Sequence, residues 1–486
     1  MNAEKKMTKN LTMLCDFYEF TMANGYLRSG YQDKIAYFDM FFRKVPDGGG
    51  FAIVAGLEQV IDYIENLEFT PEDIEYLRSK NLFCEEFLEY LKNFKFECDV
   101  WAIPEGTPVF PNEPVITVRG PVLQAQILET MILLTVNHQS LIATKSNRIV
   151  RAAAGKPVME FGSRRAQGPD GAMLGARASY IGGCCGTACT ISDIDYSVPA
   201  LGTMAHSWVQ MFDSEYEAFK AYATYYPNNC VLLVDTYNVL KSGVPNAIRV
   251  AREILEPQGC RLAGIRIDSG DVTYLTKQAR KMLDEAGCQD CKITVSNSLD
   301  EYIIRDCLLQ GACIDSFGVG ERLITSRSEP VFGGVYKLTA VEDDKGNIIP
   351  KIKVSENVTK ITTPHFKMVN RLYGRDTGKA IADVLTIRGE HIDDSGTYEI
   401  FDPDFTWKRK KVYDFECKEL MVPIYEKGKL VYDLPDIETI RSYCKQQLDT
   451  LWDEVLRFEN PHNYYVDLSQ NLWDCKDQLL NQAKCE

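Results

Sequence analysis

Short apolar runs alternate with stretches of helical periodicity between residues 157 and 320. Each run ends in small, polar or charged residues, and successive ends lie roughly 20 to 35 residues apart, which is the size of one strand–helix unit. The run ends are residues 161–164, 180–183, 202–203, 234–237, 266–271, 295–297 and 316–320. This alternation predicts an α/β fold with an irregular (β/α) barrel that resembles a TIM barrel. In such a barrel the carboxyl ends of the strands share one face, so residues distant in sequence meet there.

The N-terminal part of the chain predicts an α/β domain over residues 1–120. A helix is expected over residues 9–22, because apolar residues recur there at three- and four-residue steps. The residues that would share one face of this helix are Leu11, Leu14, Tyr18 and Met22. Residues 35–42 are strongly β-like, residues 58–96 predict acidic helices, and prolines then punctuate short extended segments up to Arg119.

The barrel and the C-terminal part account for the remaining residues. Residues 122–154 contain neither glycine nor proline, so they predict one long helix or two abutting helices leading into a barrel domain over residues 121–330. Residues 331–486 carry short β-like pieces followed by helix. They predict a C-terminal α/β domain that packs on the N-terminal part, so that both ends of the chain build one flanking α/β domain.

Composition restricts the classes of partner. With 486 residues, 45% hydrophobic and 25% charged, the chain has the make-up of a folded protein of two or three compact parts. Its formal net charge of -15 disfavours nucleic acid and anionic membranes, so an anionic substrate would need a local basic pocket. The first ten residues lack the apolar core of a signal peptide, and the sixteen cysteines then indicate reduced thiols in the cytoplasm.

Two sequence patterns suggest sites that we discount. Cys288 and Cys291 have metal-ligand spacing, but no second pair accompanies them. The stretch from Gly374 to Lys379 resembles a nucleotide-binding loop, yet it is one residue short and continues with Ala380 in place of the hydroxyl that would bind magnesium.

His206 is the most distinctive candidate for chemistry. It is one of only five histidines and follows a Gly-Thr turn just before an apolar, helix-forming run. An imidazole titrates near pH 7 and can act as an acid, a base or a nucleophile. The alternative is a hydrogen-bonded core residue beside Trp208 and Met211.

Other strand ends supply groups that suit a phosphorylated sugar. Gly318 and Gly320 can expose backbone N–H groups to a phosphate, and Ser296 with Asn297 offers a similar cradle.

Arg266 and Asp268 form a second candidate constellation. They alternate with isoleucines, so both point to the same side of their strand, and Asp271 follows in the turn. A cation and carboxylates on that side can hold an anionic group together with a ribose or magnesium. The alternative is a structural ion pair inside the barrel.

Taken together, these residues resemble the nicotinate phosphoribosyltransferase family over nearly the whole chain. The segments that carry the resemblance are DFYEFTM (16–22), FGSRR (161–165), GTMAHS (202–207), LVDTY (233–237), RIDSGD (266–271), FGVG (317–320) and NPHNYYV (460–466). The resemblance implies an enzyme that joins nicotinate to 5-phosphoribosyl 1-pyrophosphate. The products would be nicotinate mononucleotide and pyrophosphate, formed with coupling to ATP hydrolysis in NAD salvage.

For the pyridine ring, the resemblance implies four contacts. Tyr18 and Phe161 would stack on the ring, while Arg266 and Thr203 would meet the nicotinate carboxylate. Tyr18 lies outside the barrel in the sequence, so the resemblance also implies a homodimer whose partner subunit supplies this tyrosine.

For 5-phosphoribosyl 1-pyrophosphate, the resemblance implies cations at the phosphate groups and carboxylates at the ribose. Arg164 and Arg165 would bind phosphate or pyrophosphate through their planar guanidinium groups. Asp235 and Asp268 would face the ribose or Mg²⁺, with Asp271 as a further candidate magnesium ligand. Carboxylates near the ribose favour the positive charge that develops there as the bond breaks.

His206 is the residue that the resemblance marks for transient phosphorylation by ATP. Two positions depart from the family pattern: Glu321 stands where threonine is common, and Asn238 stands where an acid is frequent. The first places a phosphate contact in question, and the second the affinity for the metal. A nicotinamide phosphoribosyltransferase, a barrel isomerase or a non-catalytic phosphate-binding barrel protein are the alternatives.

Overall fold

The computed structural model describes residues 10–483, and the chain forms two compact units. The first unit comprises Met1–Leu141 and Val331–Glu486, and the second comprises Ile142–Pro330. The boundary therefore falls after Leu141 and not at residue 120. The physical reason is that apolar side chains between Val122 and Leu141 are buried in the hydrophobic core of the first unit.

The N-terminal region alternates helices with short strands as the sequence indicates. Its elements are α1 (Phe17–Arg28), β1 (Ile35–Phe41), β2 (Ala52–Ile53), α2 (Leu57–Glu65), α3 (Pro71–Ser79), α4 (Glu85–Lys92), β3 (Asp99–Ala102), β4 (Pro108–Val109), β5 (Ile116–Pro121), α5 (Val122–Ile127) and α6 (Glu129–Ala152). The β-like segment, the acidic helices and the two abutting helices are confirmed.

The first helix starts later than predicted, and the predicted apolar face is not its buried face. The helix begins at Phe17 because the backbone of Asp16 is extended. The Asp16 backbone N–H donates to Thr130 Oγ1 at 3.0 Å. The residues with helical spacing are largely exposed, Tyr18 by 43% and Met22 by 38%. The opposite side of α1 is buried instead, through Glu19, Phe20, Ala23 and Asn24.

The second unit is built on a parallel sheet. Its elements are β6 (Val158–Glu160), α7 (Gly168–Ile181), α8 (Thr190–Tyr196), α9 (His206–Gln210), α10 (Glu215–Tyr225), β7 (Val231–Leu233), α11 (Val244–Val250), β8 (Gly264–Ile267), α12 (Val272–Glu285), β9 (Lys292–Ser296), α13 (Glu301–Leu309), β10 (Ser316–Val319) and α14 (Glu321–Ile324). The strand order is β6-β10-β9-β8-β7, and parallel bridges continue from Glu160 to Thr187 and from Thr187 to Ala200. The strand pairs recorded within residues 10–483 do not close this sheet into a ring.

Five of the seven apolar runs end strands of this sheet, and two do not. Residues 180–183 span the buried C-terminal end of α7. The sequence does not distinguish them from a strand end, because a short buried apolar run looks the same in a helix as in a strand. Residues 202–203 follow the single bridge at Ala200 and no strand.

The C-terminal region returns to the first unit with mostly antiparallel strands. Its elements are β11 (Val335–Glu342), β12 (Ile348–Pro350), β13 (Lys367–Gly374), β14 (Ala380–Ile387), β15 (Tyr398–Phe401), β16 (Arg409–Val412), β17 (Phe415–Glu419), β18 (Val422–Glu426), β19 (Lys429–Leu430), α15 (Ile437–Asp449), β20 (Val466–Leu468) and α16 (Gln470–Ala483). A seven-stranded sheet, in the order β12-β11-β1-β5-β3-β18-β19, joins strands from both ends of the chain. A second sheet has the order β17-β13-β14-β20. Within residues 10–483, no helix is long and apolar enough to cross a membrane.

Candidate active site

The carboxyl edge of the parallel sheet collects the polar side chains of the second unit. On β8, Ile265 and Ile267 are fully buried, whereas Arg266 between them turns to the other face and is partly exposed. Neighbouring strands run parallel to β8 and end at the same edge, with Gly318 opposite Ser296. The period of the strand therefore brings Arg266 to the functional edge.

Arg266 is held by three side chains from different segments. Its Nε donates to Ser296 Oγ at 2.9 Å, Nη2 donates to Asp268 Oδ1 at 3.1 Å, and Nη1 donates to Thr203 Oγ1 at 3.3 Å. Ser296 Oγ in turn donates to Asp268 Oδ1. These contacts fix the plane of the guanidinium group while its side chain remains 15% exposed.

An aromatic ring lies beside this guanidinium group. The Arg266 Cζ atom is 5.7 Å from the ring centroid of Phe161, the residue that directly follows β6. A Cβ at position 318 would lie 2.5 Å from that ring, so only glycine allows Phe161 to occupy its place. A Cβ at position 320 would lie 3.1 Å from the Phe161 carbonyl oxygen. Gly318 thus makes room for the ring, a role different from the open phosphate cradle that its sequence pattern predicts.

Glu160, which no sequence pattern singled out, anchors the turn that carries Phe161. It is fully buried, and its Oε2 accepts a hydrogen bond from Thr187 Oγ1 at 2.6 Å while its Oε1 accepts one from the Gly162 N–H. Burial raises the pKa of Glu160, although both hydrogen bonds oppose that shift. Strand alternation could have shown that this carboxylate points inward, but not that Thr187 would meet it.

Asp235 ties the end of β7 to the end of β8. Its Oδ2 accepts hydrogen bonds from the Asp268 N–H at 3.0 Å and from Ser269 Oγ at 2.6 Å. Its Oδ1 is buried and has no hydrogen-bond partner among the described residues. A buried carboxylate oxygen of this kind is suited to accept a hydroxyl donor or to bind a cation.

His206 lies at the same edge, as the first residue of α9. Its Nδ1 is 3.1 Å from Thr236 Oγ1, and its Nε2 is 3.8 Å from Asp268 Oδ2. The side chain is 40% exposed, so it is not a core histidine. The site therefore combines a reachable imidazole, a positioned guanidinium group, two carboxylates and an aromatic face.

Known proteins are similar to this chain in sequence and in fold. Family models of the nicotinate phosphoribosyltransferase N-terminal and C-terminal domains match residues 13–137 and 366–476. A nicotinate phosphoribosyltransferase of Bacillus subtilis is 43% identical over 477 residues, covering 98% of this chain and 96% of its own length. The chain belongs to the nicotinate phosphoribosyltransferase family.

More distant relatives agree with that assignment. The nicotinate phosphoribosyltransferase of Dictyostelium discoideum is 36% identical and covers 96% of this chain and 88% of its own. The crystal structure of human nicotinic acid phosphoribosyltransferase superposes with a TM-score of 0.84 at 29% identity, over 96% of this chain and all of that one. The mixed α/β fold is therefore shared along almost the entire chain.

The remaining residues expected at a family site have more peripheral positions. Arg164 and Arg165 lie in a short 3₁₀ turn directly after Phe161 and are exposed. Asn297 is exposed, with a left-handed backbone at φ 81°. Asp271 caps α12, because its Oδ1 accepts from the Tyr274 N–H at 2.9 Å.

The two departures from the family pattern have local partners. Glu321 Oε1 accepts a hydrogen bond from Arg327 Nη1 at 3.0 Å, so its charge near Gly320 is partly neutralised. Asn238 Oδ1 accepts from the Lys241 N–H at 2.8 Å and caps the irregular helical segment that follows β7.

Tyr18 belongs to the first unit and not to the cluster of the second. It lies near the start of α1, and burial together with the neighbouring Glu129 raises the pKa of its phenol. Phe17 beside it is also exposed, by 41%. This end of α1 thus presents aromatic surface.

Proposed function

We propose that this protein transfers the phosphoribosyl group of 5-phosphoribosyl 1-pyrophosphate to nicotinate, in a reaction coupled to ATP hydrolysis that begins NAD salvage from nicotinate. The observation that carries the proposal is the Arg266 guanidinium group, fixed by Asp268, Ser296 and Thr203 beside the face of Phe161. A planar ring that bears a carboxylate matches this pairing of an aromatic face with a cation.

The pyridine nitrogen of nicotinate is the nucleophile in this proposal, so the protein has to stabilise charge and not to attack the sugar. As the bond to pyrophosphate breaks, positive charge develops on the ribose. Asp235 and Asp268 at the ends of β7 and β8 would favour that charge. The exposed guanidinium groups of Arg164 and Arg165 would hold the departing pyrophosphate.

Mg²⁺ is the metal that this substrate implies, and the carboxylates at the edge fit it in part. The unpartnered Oδ1 of Asp235 offers one oxygen ligand. No group of three acidic, histidine or cysteine side chains suited to a metal occurs among residues 10–483. In phosphate-transfer sites Mg²⁺ usually takes one or two protein carboxylates and fills its other positions with water and phosphate oxygens. Bound there, Mg²⁺ would neutralise phosphate charge. Asp271, occupied by its helix cap, is the weaker candidate ligand.

His206 is the proposed site of phosphorylation by ATP. Its exposed imidazole is anchored by Thr236, and a neutral imidazole is a competent nucleophile toward a phosphoryl group. A phosphorylated His206 would place negative charge beside Asp268. That charge would shift the affinities for substrate and product. Phosphorylation of His206 and hydrolysis of the phosphohistidine would then drive substrate binding and product release in turn.

Three finer points belong to the same proposal. The parallel sheet, continued by the bridges at Thr187 and Ala200, would form an irregular (β/α) barrel. The exposed start of α1 would bring Tyr18 to the site of a partner subunit in a homodimer. A cytoplasmic location would suit sixteen cysteines, because thiols stay reduced there.

Initial rates with nicotinate, 5-phosphoribosyl 1-pyrophosphate and Mg²⁺ test the function. We expect nicotinate mononucleotide and pyrophosphate to form faster with ATP than without it, and nicotinate to be turned over faster than nicotinamide. Faster turnover of the amide would establish the nicotinamide enzyme instead. Absence of pyrophosphate release would leave a phosphate-binding protein.

Replacement of His206 tests the coupling to ATP. His206→Asn should abolish ATP hydrolysis yet retain slow, ATP-independent formation of nicotinate mononucleotide, whereas the exposed His391→Asn should behave as wild type. Label from γ-labelled ATP should appear on the wild type, survive base and be lost in acid. Coupled hydrolysis that persists in His206→Asn would mean that another residue carries the phosphoryl group.

A mixture of two inactive variants tests the shared site. Tyr18→Ala and Arg266→Ala chains, once subunit exchange has been verified, should recover part of the activity in hybrid dimers. Each hybrid would contain one site with both residues intact. No recovery would place Tyr18 at the site of its own chain.

A further inference from the structure

The first unit contains a cavity of about 580 Å³ that the proposed reaction does not use. It is bounded by the turn between β13 and β14, by the end of β16, and by residues 452–465. A volume of this size is typical of small-molecule sites. The NPHNYYV segment and the GRDTGK turn both border it.

Two partly exposed aromatic side chains line this cavity. The Trp452 indole N–H donates to the Ala380 carbonyl oxygen at 2.8 Å, which fixes the ring while 42% of the residue stays exposed. Tyr465 is 41% exposed, and the His462 ring packs edge-on against it at 5.9 Å. Such anchored and accessible rings suit a planar ligand.

Tyr464 gives the cavity a rigid wall. Its ring stacks on Phe110 with centroids 3.8 Å apart and planes 9° from parallel, and its hydroxyl donates to Asp383 Oδ1 at 3.0 Å. Because these partners are buried, the wall is formed before any ligand arrives. Preorganisation lowers the entropic cost of binding.

Cations line the same cavity. Lys411 and Arg457 are exposed, and neither forms a salt bridge within 4 Å among residues 10–483, although Lys411 lies opposite Glu399 in the β15–β16 pair. Lys410 Nζ lies 5.5 Å from the Tyr465 ring centroid. Two carboxylates, Asp376 and Glu454, also border the space, so cations outnumber acids three to two in a chain whose net charge is -15.

The turn that resembles a nucleotide-binding loop supports the cavity by a different means. The Gly378 N–H donates to the Gly374 carbonyl oxygen at 2.7 Å, which closes the turn between β13 and β14. Lys379 Nζ donates to the carbonyl oxygens of Asp449 and Leu451 at 2.9 and 2.8 Å. This lysine therefore holds the segment before Trp452 and does not bind phosphate itself.

We propose that this cavity is a second ligand site, for a nucleoside monophosphate. The base would stack on Trp452 or Tyr465, and the phosphate would bind Lys411 and Arg457. Ribose hydroxyls would donate to the carboxylates, which explains acids among the cations. The inference goes beyond the proposed function, because it concerns a different unit and shares no residue with the reaction.

Photoaffinity labelling with 8-azidoadenosine monophosphate tests the site on the full chain. We expect the label on peptides from residues 450–466, and competition by unlabelled adenosine monophosphate. The Lys411→Ala/Arg457→Ala double variant should lose about tenfold of that labelling, because it removes the charged partners of the phosphate. It should turn over nicotinate within about twofold of wild type, since it leaves the second unit intact.

A matched variant controls for lost charge. Lys345→Ala/Lys429→Ala removes two exposed lysines elsewhere in the first unit and should keep full labelling. Label confined to the second unit, absence of label, or equal labelling of both double variants would overturn the site. Loss of nicotinate turnover in Lys411→Ala/Arg457→Ala, with an unchanged melting temperature, would overturn its separation from the reaction.

Discussion

Two arginine–aspartate pairs, one in each unit, show how differently the same two side chains are used. Arg371 and Asp383 join β13 to β14 in the first unit through two hydrogen bonds, at 2.7 and 2.6 Å, and both side chains are fully buried. Arg266 and Asp268 share a single hydrogen bond at 3.1 Å at the open sheet edge, with 15% and 22% of their side chains exposed.

The difference lies in which other groups each pair contacts. The buried pair is enclosed by Phe110, whose ring the Arg371 guanidinium group faces, and by the Tyr464 hydroxyl. The carboxylate and two of the three guanidinium nitrogens there hydrogen-bond within the fold, whereas Arg371 Nη1 is buried without a partner among the described residues. Asp268 instead also accepts from Ser296 and approaches His206, so its contacts can rearrange when a charged ligand arrives. A buried pair costs much to break, whereas a partly exposed pair can exchange partners.

The largest effect should come from the buried pair. Asp383→Asn leaves the Arg371 charge buried without its partner, so the first unit should lose about 3 to 5 kcal/mol of unfolding free energy. Denaturant titration followed by circular dichroism measures this loss. Glu399→Gln, which breaks an exposed pair with Arg409, should cost no more than about 1 kcal/mol. Equal losses would contradict the distinction between buried and exposed pairs.

The neighbouring acid Glu113 provides a second test of the buried pair. Burial and the nearby Asp383 hold the pKa of the Glu113 carboxyl well above its usual range. In Asp383→Asn this carboxyl can ionise and partly neutralise Arg371. Adding Glu113→Gln should therefore deepen the loss beyond the sum of the two single changes, as a double-mutant cycle would show.

Arg266 should show the opposite pattern, with a small effect on stability and a large one on substrate. On the proposed function, Arg266→Gln would remove the charged hydrogen bond that Arg266 donates to nicotinate, so nicotinate binding should weaken by about 1.5 to 3 kcal/mol and nicotinamide binding by less. Steady-state kinetics with both substrates, beside a melting curve, measures the two effects. Equal losses for the acid and the amide would assign Arg266 to 5-phosphoribosyl 1-pyrophosphate.

Sequence periodicity could place Arg266 on the correct face of its strand because the residues that set this face are local. Ile265 and Ile267 flank it in the same strand and are buried, which fixes the face that it occupies. The strand ends at Ile267, two residues before Ser269, and this end is also marked by local sequence. The ends of five strands were predictable for the same reason.

Partners distant along the chain could not be predicted in this way. Thr187 meets Glu160 from 27 residues away, and Thr236 meets His206 from 30 residues away. Thr187 reaches Glu160 through the parallel bridge between these two residues, and Thr236 follows β7 whereas His206 begins α9. Periodicity shows which face a residue occupies, but it does not show which distant segment covers that face.

Gly318 tests whether the packing of Phe161 beside Arg266 matters for substrate binding. Gly318→Ala would place a Cβ against Phe161, so the ring must shift from the Arg266 guanidinium group, at a cost of about 1 to 2 kcal/mol in nicotinate binding. The KM for nicotinate should rise, and overpacking at this buried position should also lower the melting temperature. Gly25→Ala is the control, because no heavy atom lies within 4 Å of its added Cβ. An unchanged KM would remove Phe161 from the ring site.

A pH-dependent effect concerns the buried acid Glu19. Burial raises the pKa of Glu19 to about 7 from 4.5, with Glu129 adding to the shift, although Thr130 donates to its carboxylate through the backbone N–H at 3.1 Å and the hydroxyl. Because the folded state then holds this proton more tightly than the unfolded state, unfolding free energy falls as pH rises from 4.5 toward 7, and it levels off above that. Denaturant titrations across this range should show the decline, and Glu19→Gln should remove part of it.

Thr130→Val tests the contribution of the Thr130 hydroxyl. Without this donor the Glu19 carboxylate loses a stabilising hydrogen bond, so the decline in unfolding free energy should continue to higher pH. An identical pH profile in wild type and Glu19→Gln would show that Glu19 stays ionised and that its burial is compensated by other groups.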